Sequence, residues 1–337
     1  MNKTIILIIP HHFEIYKAFV DNLEKLGFHI KLLYLSGSDF AYKNIGQRIT
    51  NFFRKTFLGD KTYKQNLKDN FDSILLNQAL SKIDKIVDYT LVIRPDYFSP
   101  KAIQNLKKKT KNLIAYQWDG LDRYAGAKEL ISLFDRFFLF DIDDYKKYKK
   151  IFPNVFFTSN FYFEVHKTAK LPNKKKKVFF IGSFIESRMD EIIYLTKIFS
   201  DLNLELDVNL LYFNNNTPLK YQNSDINFIN ENITYLEVLE KIRDADIILD
   251  FIDTIHGGLS LRTFEALNFS KKLITNNKIV MDYDFYNIDN ILVWNQQIDK
   301  DLIENFISVD YVKIDEKIVN KYSFSNWIKN ILNVDER

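Results

Sequence analysis

The stretch His256-Gly257-Gly258-Leu259-Ser260-Leu261-Arg262-Thr263-Phe264-Glu265-Ala266-Leu267 decides how this chain is read. Before it, Ala245 to Phe251 is an apolar run that reads as a buried strand, and after it Lys271 to Asn276 reads as the next. A Gly-Gly turn therefore opens a short helix between two strands, on the edge where α/β proteins bind ligands. A helix N-terminus carries unpaired N–H groups and partial positive charge, which suit a phosphate. Gly257 and Gly258 let a ligand approach the backbone closely. Glu265 follows one turn into the helix, where its carboxylate can accept hydrogen bonds from a ribose diol. The plainer alternative is a tight turn and a helix whose Glu is solvated.

Outward from this motif the second half repeats strand and helix. Val178 to Ser183 reads as a strand closing on Gly182-Ser183, with Arg188 near the start of the helix that follows. Leu206 to Phe213 is a strand and Tyr235 to Ala245 a helix. Leu273 to Asn276, Asp282-Tyr283 and Ile291 to Trp294 complete the α/β pattern, and a final helix covers Ser323 to Leu332. Gly182-Ser183 and Gly257-Gly258 are placed to share one carboxyl edge. Arg188 and Arg262 are candidates to neutralise a pyrophosphate, since Arg pairs bidentately with phosphate oxygens, although a surface Arg more often makes an ordinary ion pair.

The first half opens as β-α-β: Thr4 to Pro10, a helix over His11 to Gly27, then His29 to Leu35. The turn after the first strand is Pro10-His11-His12-Phe13, with no G-x-G-x-x-G, which counts against a dinucleotide cofactor. Later strands end in Arg94-Pro95-Asp96-Tyr97 and Gln117-Trp118-Asp119-Gly120. Polar residues at successive strand ends mark a binding edge, though many such residues are only helix caps. Residues 45–80 are helical in character with a basic, aromatic front: Arg48, Phe52, Phe53, Arg54, Lys55 and Phe57. Such a helix can rest on an anionic membrane, and it can equally be an amphipathic helix packed on its own domain.

The 337 residues suffice for two domains, and an apolar content of 46% suffices for two cores. The absence of Cys excludes disulfides and thiolate metal sites. The net charge of +3 is unevenly shared. Residues 1–170 hold 28 Lys/Arg against 18 Asp/Glu, a surplus of 10, and residues 171–337 hold 19 against 26, a deficit of 7. This asymmetry, with the Pro-Asn-Lys run at Leu171 to Lys177, puts a boundary near residue 170 and suggests that the first half meets something anionic. No apolar run approaches the roughly 18–20 residues of a membrane span. The expectation is a cytoplasmic protein, with room for peripheral contact at the inner face of the membrane. The Lys runs are scattered without interleaved stacking aromatics, so nucleic acid is not an expected partner.

The Trp118-Asp119 turn, the run Phe134-Asp135 to Phe140-Asp141, Gly182-Ser183-x(4)-Arg188 and Arg262-Thr263-Phe264-Glu265-Ala266-Leu267-Asn268-x(4)-Leu273-Ile274-Thr275 together resemble the GT-B glycosyltransferases. The nearest likeness is to the CgeB-like and lipopolysaccharide-biosynthesis members, and it covers most of residues 85–295. The resemblance implies two Rossmann-like, doubly wound α/β domains facing a cleft. Residues 1–170 would be the acceptor domain and 171–320 the nucleotide-sugar domain, with 321–337 a helix crossing back to the first domain. It implies a nucleotide-sugar donor, a bacterial surface glycan or lipopolysaccharide acceptor (glycan or lipid-linked), and no metal or other cofactor. By the same resemblance Glu265 matches the donor-ribose Glu, and Gly182, Ser183 and Arg188 match the phosphate-side turn. His256, Gly257, Gly258, Ser260 and Arg262 complete the donor set. The second acid of retaining members is missing, which leans toward inversion. An inverting transfer needs a general base at the acceptor hydroxyl. Asp119 is the first candidate and His11 the second; His12, Asp96 and Trp118 are candidates for holding the acceptor. A sugar-nucleotide epimerase of the same fold, or a non-catalytic sugar-binding protein, is the alternative.

Overall fold

The structure, a computed structural model, describes residues 3–35, 40–60, 62–121, 126–165, 175–212, 219–221, 225–231, 233–252, 257–295 and 299–334. His256 and most of the run before Lys177 lie outside the described residues. The chain divides into two compact units. One comprises Met1–His12, Tyr16–Ser159 and Ile328–Arg337, and the other Phe13–Ile15 and Asn160–Trp327.

The first unit carries a parallel sheet of β1 (Lys3–Pro10), β2 (Phe28–Leu35), β3 (Val87–Ile93), β4 (Thr110–Gln117), β5 (Arg136–Leu139) and β6 (Val155–Phe157), in the order β2-β1-β3-β4-β5-β6. The second carries β7 (Lys177–Ser183), β8 (Glu205–Leu211), β9 (Asn227–Ile229), β10 (Ile247–Asp250), β11 (Lys272–Thr275) and β12 (Ile291–Val293), in the order β12-β11-β10-β7-β8-β9. In each sheet the chain builds to one side of its first strand and then returns to build on the other. The reversal falls between β1 and β3 in the first sheet and between β7 and β10 in the second. A doubly wound sheet opens its binding crevice at such a point, beyond the carboxyl ends of the strands.

The central strands are apolar without alternation because helices cover both faces of a parallel sheet. Ile5 to Ile9 of β1 are at most 1% exposed. On one face, Ile6, Ile8, Val92 and Ala115 join Leu76, Leu80, Ile103 and Leu106 from the covering helices. In the second unit, Val178, Phe180, Val208 and Leu210 join Leu195 and Phe199.

Some details depart from the sequence pattern. The first helix begins at Ile15, after a 3-10 turn over His12–Glu14 in which Phe13 and Glu14 have positive φ. The helical segment 45–80 is two helices, Ile45–Phe57 and Thr62–Leu80. They are parted by Gly59 at φ +64 and by Asp60, whose carboxylate accepts from Thr62 N. The second helix buries Asp72, Ser73, Leu76 and Leu80, whereas the first buries nothing. Leaving its Ile and Phe side chains in water forgoes roughly 1.5–3 kcal/mol for each relative to a buried site. Asp282 ends a 3-10 turn, Lys278–Asp282, and is not in a strand; β9 had no clear apolar signal. The last helix runs over Phe324–Leu332. Its Phe324 stacks on Phe163 at 5.2 Å within the second unit, and in the first unit the Arg136 guanidinium donates to the carbonyls of Asn330 and Ile331 at its C-terminal end. Among the described residues no helix is long and apolar enough to cross a membrane.

Burial raises the pKa of Asp69 and Asp72 on helix Thr62–Leu80 to about 6, and Asp72 Oδ1 has no hydrogen-bond partner among the described residues. Each group keeps its proton to about pH 6 when folded but only to about its ordinary 3.8 when unfolded. Between those values the folded chain binds more protons, so stability falls as pH rises and levels off above about 6. Asp72→Asn should raise the melting temperature at pH 7.5 more than at pH 4.5, which thermal unfolding at the two pH values measures.

Candidate functional site

In the second unit the site is built where β7 and β10 lie side by side. β10 ends in Asp250, a carboxylate buried to 7% exposure. Ser260 Oγ and Thr263 Oγ1 donate to its Oδ2 at 2.8 and 3.1 Å. Ser260 also caps the helix Leu261–Asn268, its Oγ accepting from Arg262 N at 3.1 Å. One hydroxyl thus joins the strand end to the first turn of the helix. Burial raises the Asp250 pKa, while the Ser260 and Thr263 hydrogen bonds and the charges of Arg262 and Arg188 oppose the rise.

The Gly-Gly turn is held from behind. Asn277 Nδ2 donates to the Gly258 carbonyl at 3.0 Å and Asn160 Nδ2 to the Leu259 carbonyl at 2.8 Å, both amides being buried. Gly258 is buried and Gly257 half-buried. The Arg262 guanidinium lies 5.7 Å from the Phe179 ring of β7. Gly182 and Ser183 close β7, and a Cβ on Gly182 would stand 3.1 Å from the Phe180 ring. Ser260 and Arg262 thus lie by the end of β10, and Gly182-Ser183 closes the adjacent strand β7.

Glu265 lies deeper than a solvated or ribose-facing acid. It is 1% exposed, accepting from Tyr235 Oη at 2.6 Å on Oε1 and from Arg262 Nη1 at 2.9 Å on Oε2. Burial, and then the Glu265 charge, push the Tyr235 phenol well above its ordinary pKa. In this structure Glu265 fixes Arg262 and does not reach the surface itself.

In the first unit the polar strand ends come together around Arg94. This residue is 5% exposed and has φ +62, a left-handed conformation that costs a side chain energy. Its Nε and Nη2 donate to the two Asp96 oxygens, each at 2.7 Å, and Nη1 donates to Asp119 Oδ2 at 2.5 Å. The guanidinium also lies 4.8 Å from the Tyr97 ring. Burial works against its charge, but the Asp96 hydrogen bonds and charge prevail and raise its pKa. His12 Nε2 is 3.4 Å from Tyr97 Oη. His12 is exposed, yet desolvation by the neighbouring protein lowers its pKa from 6.5, the Arg94 charge lowers it further, and Asp119 opposes. His11 packs its ring against Tyr16 at 5.1 Å, and Trp118 is half-buried beside Asp119. Among the described residues no group of three or more His, Asp or Glu forms a metal site.

Asp250, Asn160, Asn277, Tyr235 and Arg94 were not among the candidates read from the sequence. Asp250 carried a signal in hindsight, a lone acid closing the apolar run Ile247-Ile248-Leu249. The two Asn carried none, since each acts across a long separation in sequence. Arg94→Met would leave Asp96 and Asp119 carboxylates, 7% and 20% exposed, without their counter-charge. Denaturant unfolding should show a loss of about 3–5 kcal/mol.

No family model and no curated protein matches the chain. Solved structures match along nearly its whole length. The chain is similar to MnaA of S. aureus, solved with UDP, at 14% identity over 99% of this chain and 98% of that one, with a TM-score of 0.53. It is similar to the lipopolysaccharide outer core galactosyltransferase WaaB at 13% identity over 98% of both chains, TM-score 0.54. It is similar to an α-glucosyltransferase solved with UDP and a 13-mer DNA at 12% identity over 99% and 100%, TM-score 0.57. At these identities the likeness is one of architecture, and the two parallel α/β units have the fold of GT-B proteins.

Proposed function

We propose that this chain is a glycosyltransferase that moves a sugar from a nucleotide-sugar donor to a bacterial surface glycan or lipid-linked acceptor. The observation that supports the reading is the Ser260-capped helix start tied to Asp250 at the end of β10, beside the strand β7 that closes on Gly182-Ser183. The N–H groups of the helix start and the two arginines suit a diphosphate, and UDP accompanies two of the proteins with this fold. Arg188, Arg262 and the helix dipole would stabilise the leaving diphosphate, in the role a metal plays elsewhere. Glu265 positions Arg262, and Ser260 positions the helix start.

The first unit supplies the acceptor side. Asp119, the first base expected from sequence, is engaged with Arg94, whereas the pKa of His12 is lowered, which favours the neutral ring a base needs. His12 is the proposed base. It takes the proton of the acceptor hydroxyl as that oxygen bonds to the anomeric carbon and the bond to the diphosphate breaks, with inversion. Tyr97 orients the base, with Asp96, His11 and Trp118 assigned to the acceptor.

Calorimetric titration with UDP, CMP, GDP and dTDP should give binding for at least one, and silence with all four would refute the donor reading. Arg262→Gln should weaken that binding about tenfold or more, since a charged hydrogen bond contributes roughly 1.5–3 kcal/mol. Turnover of the donor without any acceptor, into an isomer, would move the assignment to an epimerase, and binding without any turnover to a sugar-binding protein.

The protonated fraction of His12 sets a second expectation. Transfer should fall on acidification with a midpoint below 6.5, because the protonated ring cannot accept a proton. His12→Asn should lower kcat by about 10²–10⁴ and abolish that acid limb, read from pH–rate profiles of both proteins.

A further inference from the structure

The helix Ile45–Phe57 has no part in the proposed transfer, and it buries none of its residues. Ile45, Ile49, Phe52, Phe53 and Phe57 recur at the spacing of one helix face and are 54–77% exposed. The Phe53 and Phe57 rings touch, with centroids 4.9 Å apart, so the face is continuous. Leu58 extends it at 66% exposed. The helix contains no Asp or Glu, and Arg48 and Lys55 flank one side of the apolar face. Arg54, on the far side, pairs with Asp60. The adjoining helix Thr62–Leu80 spends its buried residues on its own unit and leaves this face uncovered.

We propose that helix Ile45–Phe57 docks the protein flat onto an anionic lipid bilayer, its apolar face in the interfacial layer and Arg48 and Lys55 among the headgroups. Its 13 residues span about 20 Å, too short to cross a bilayer but ample to lie along one. The charge pattern decides the occupant. A second copy of the helix would bring cation against cation, and the face offers no acid to answer them. Anionic headgroups answer both cations while the acyl region takes the five apolar side chains. The surplus of basic residues in the first half has the same sign. The proposal stands apart from the donor reading and does not depend on it.

Cosedimentation of the full chain with phosphatidylcholine vesicles, with or without about 30% phosphatidylglycerol, tests it. Binding should appear with the anionic vesicles, be at least tenfold weaker with phosphatidylcholine alone, and decline as salt rises from about 0.05 to about 0.5 M. Phe52→Ser with Phe53→Ser should abolish it, and Arg48→Gln with Lys55→Gln should reduce it about tenfold. Both variants should keep the wild-type melting temperature, because these side chains are exposed. A Phe57→Trp chain should show blue-shifted emission on anionic vesicles. Nucleotide binding should be unaltered throughout, so the two readings can fail separately. Equal vesicle binding by the Phe52/Phe53 variant, or none by the wild type, overturns the proposal. So does light scattering that finds a wild-type dimer made monomeric by the Ser substitutions, which would give the face to a second copy.

Discussion

The Asp250 carboxylate is the constraint on which the second unit turns. It closes a strand buried on both faces, where a charge without partners is expensive. Its cost is met by two hydroxyls from the next helix, and that obligation fixes where the helix starts and which way its axis leaves the sheet. Ser260 is bound twice over, donating to Asp250 and accepting from Arg262 N. The placement of the helix dipole is thus a by-product of satisfying a buried acid. Glu265 and Tyr235 repeat the device one turn on, where a second buried acid accepts from Tyr235 on one oxygen and from Arg262 on the other.

The first unit solves the same problem with opposite polarity. There the buried group at the switch point is a cation, Arg94, and it is neutralised by Asp96 from its own strand end and Asp119 from the end of β4. The geometry is bought with a left-handed backbone at Arg94. Phe13 and Glu14 are left-handed too, directly after the β1 end. Non-glycine residues in this region concentrate where a structure holds groups in place for use. The positive surplus of the first half does not gather at this edge, where Asp96 and Asp119 share a single guanidinium; part of it is carried by helix Ile45–Phe57.

Much of the architecture was legible because its signals are local. Ile5 to Ile9 and Ile247 to Leu249 are continuous apolar runs, which only a doubly covered strand makes necessary, and the Gly-Gly/Ser cap marks its helix start within a few residues. The short β9, Asn227–Ile229, escaped because an edge strand of three residues with one exposed face carries no periodicity. The break at Gly59 escaped because both flanking segments favour helix. Side-chain partnerships were the least legible. Nothing in the order of residues announces that Arg94 reaches Asp119, that Tyr235 lies against Glu265, or that His12 and not His11 meets Tyr97. Those pairings depend on register between distant strands, so residue order alone leaves open which side chains touch.

The two asparagines behind the glycine turn have a consequence of their own. Asn277 and Asn160 take the carbonyls of residues 258 and 259 toward buried amides. A trans peptide sets its N–H opposite its C=O. The N–H groups of Leu259 and Ser260 are thereby directed away from those amides. The shape of the turn is thereby set by the protein alone, with both carbonyls committed to buried amides before the helix begins.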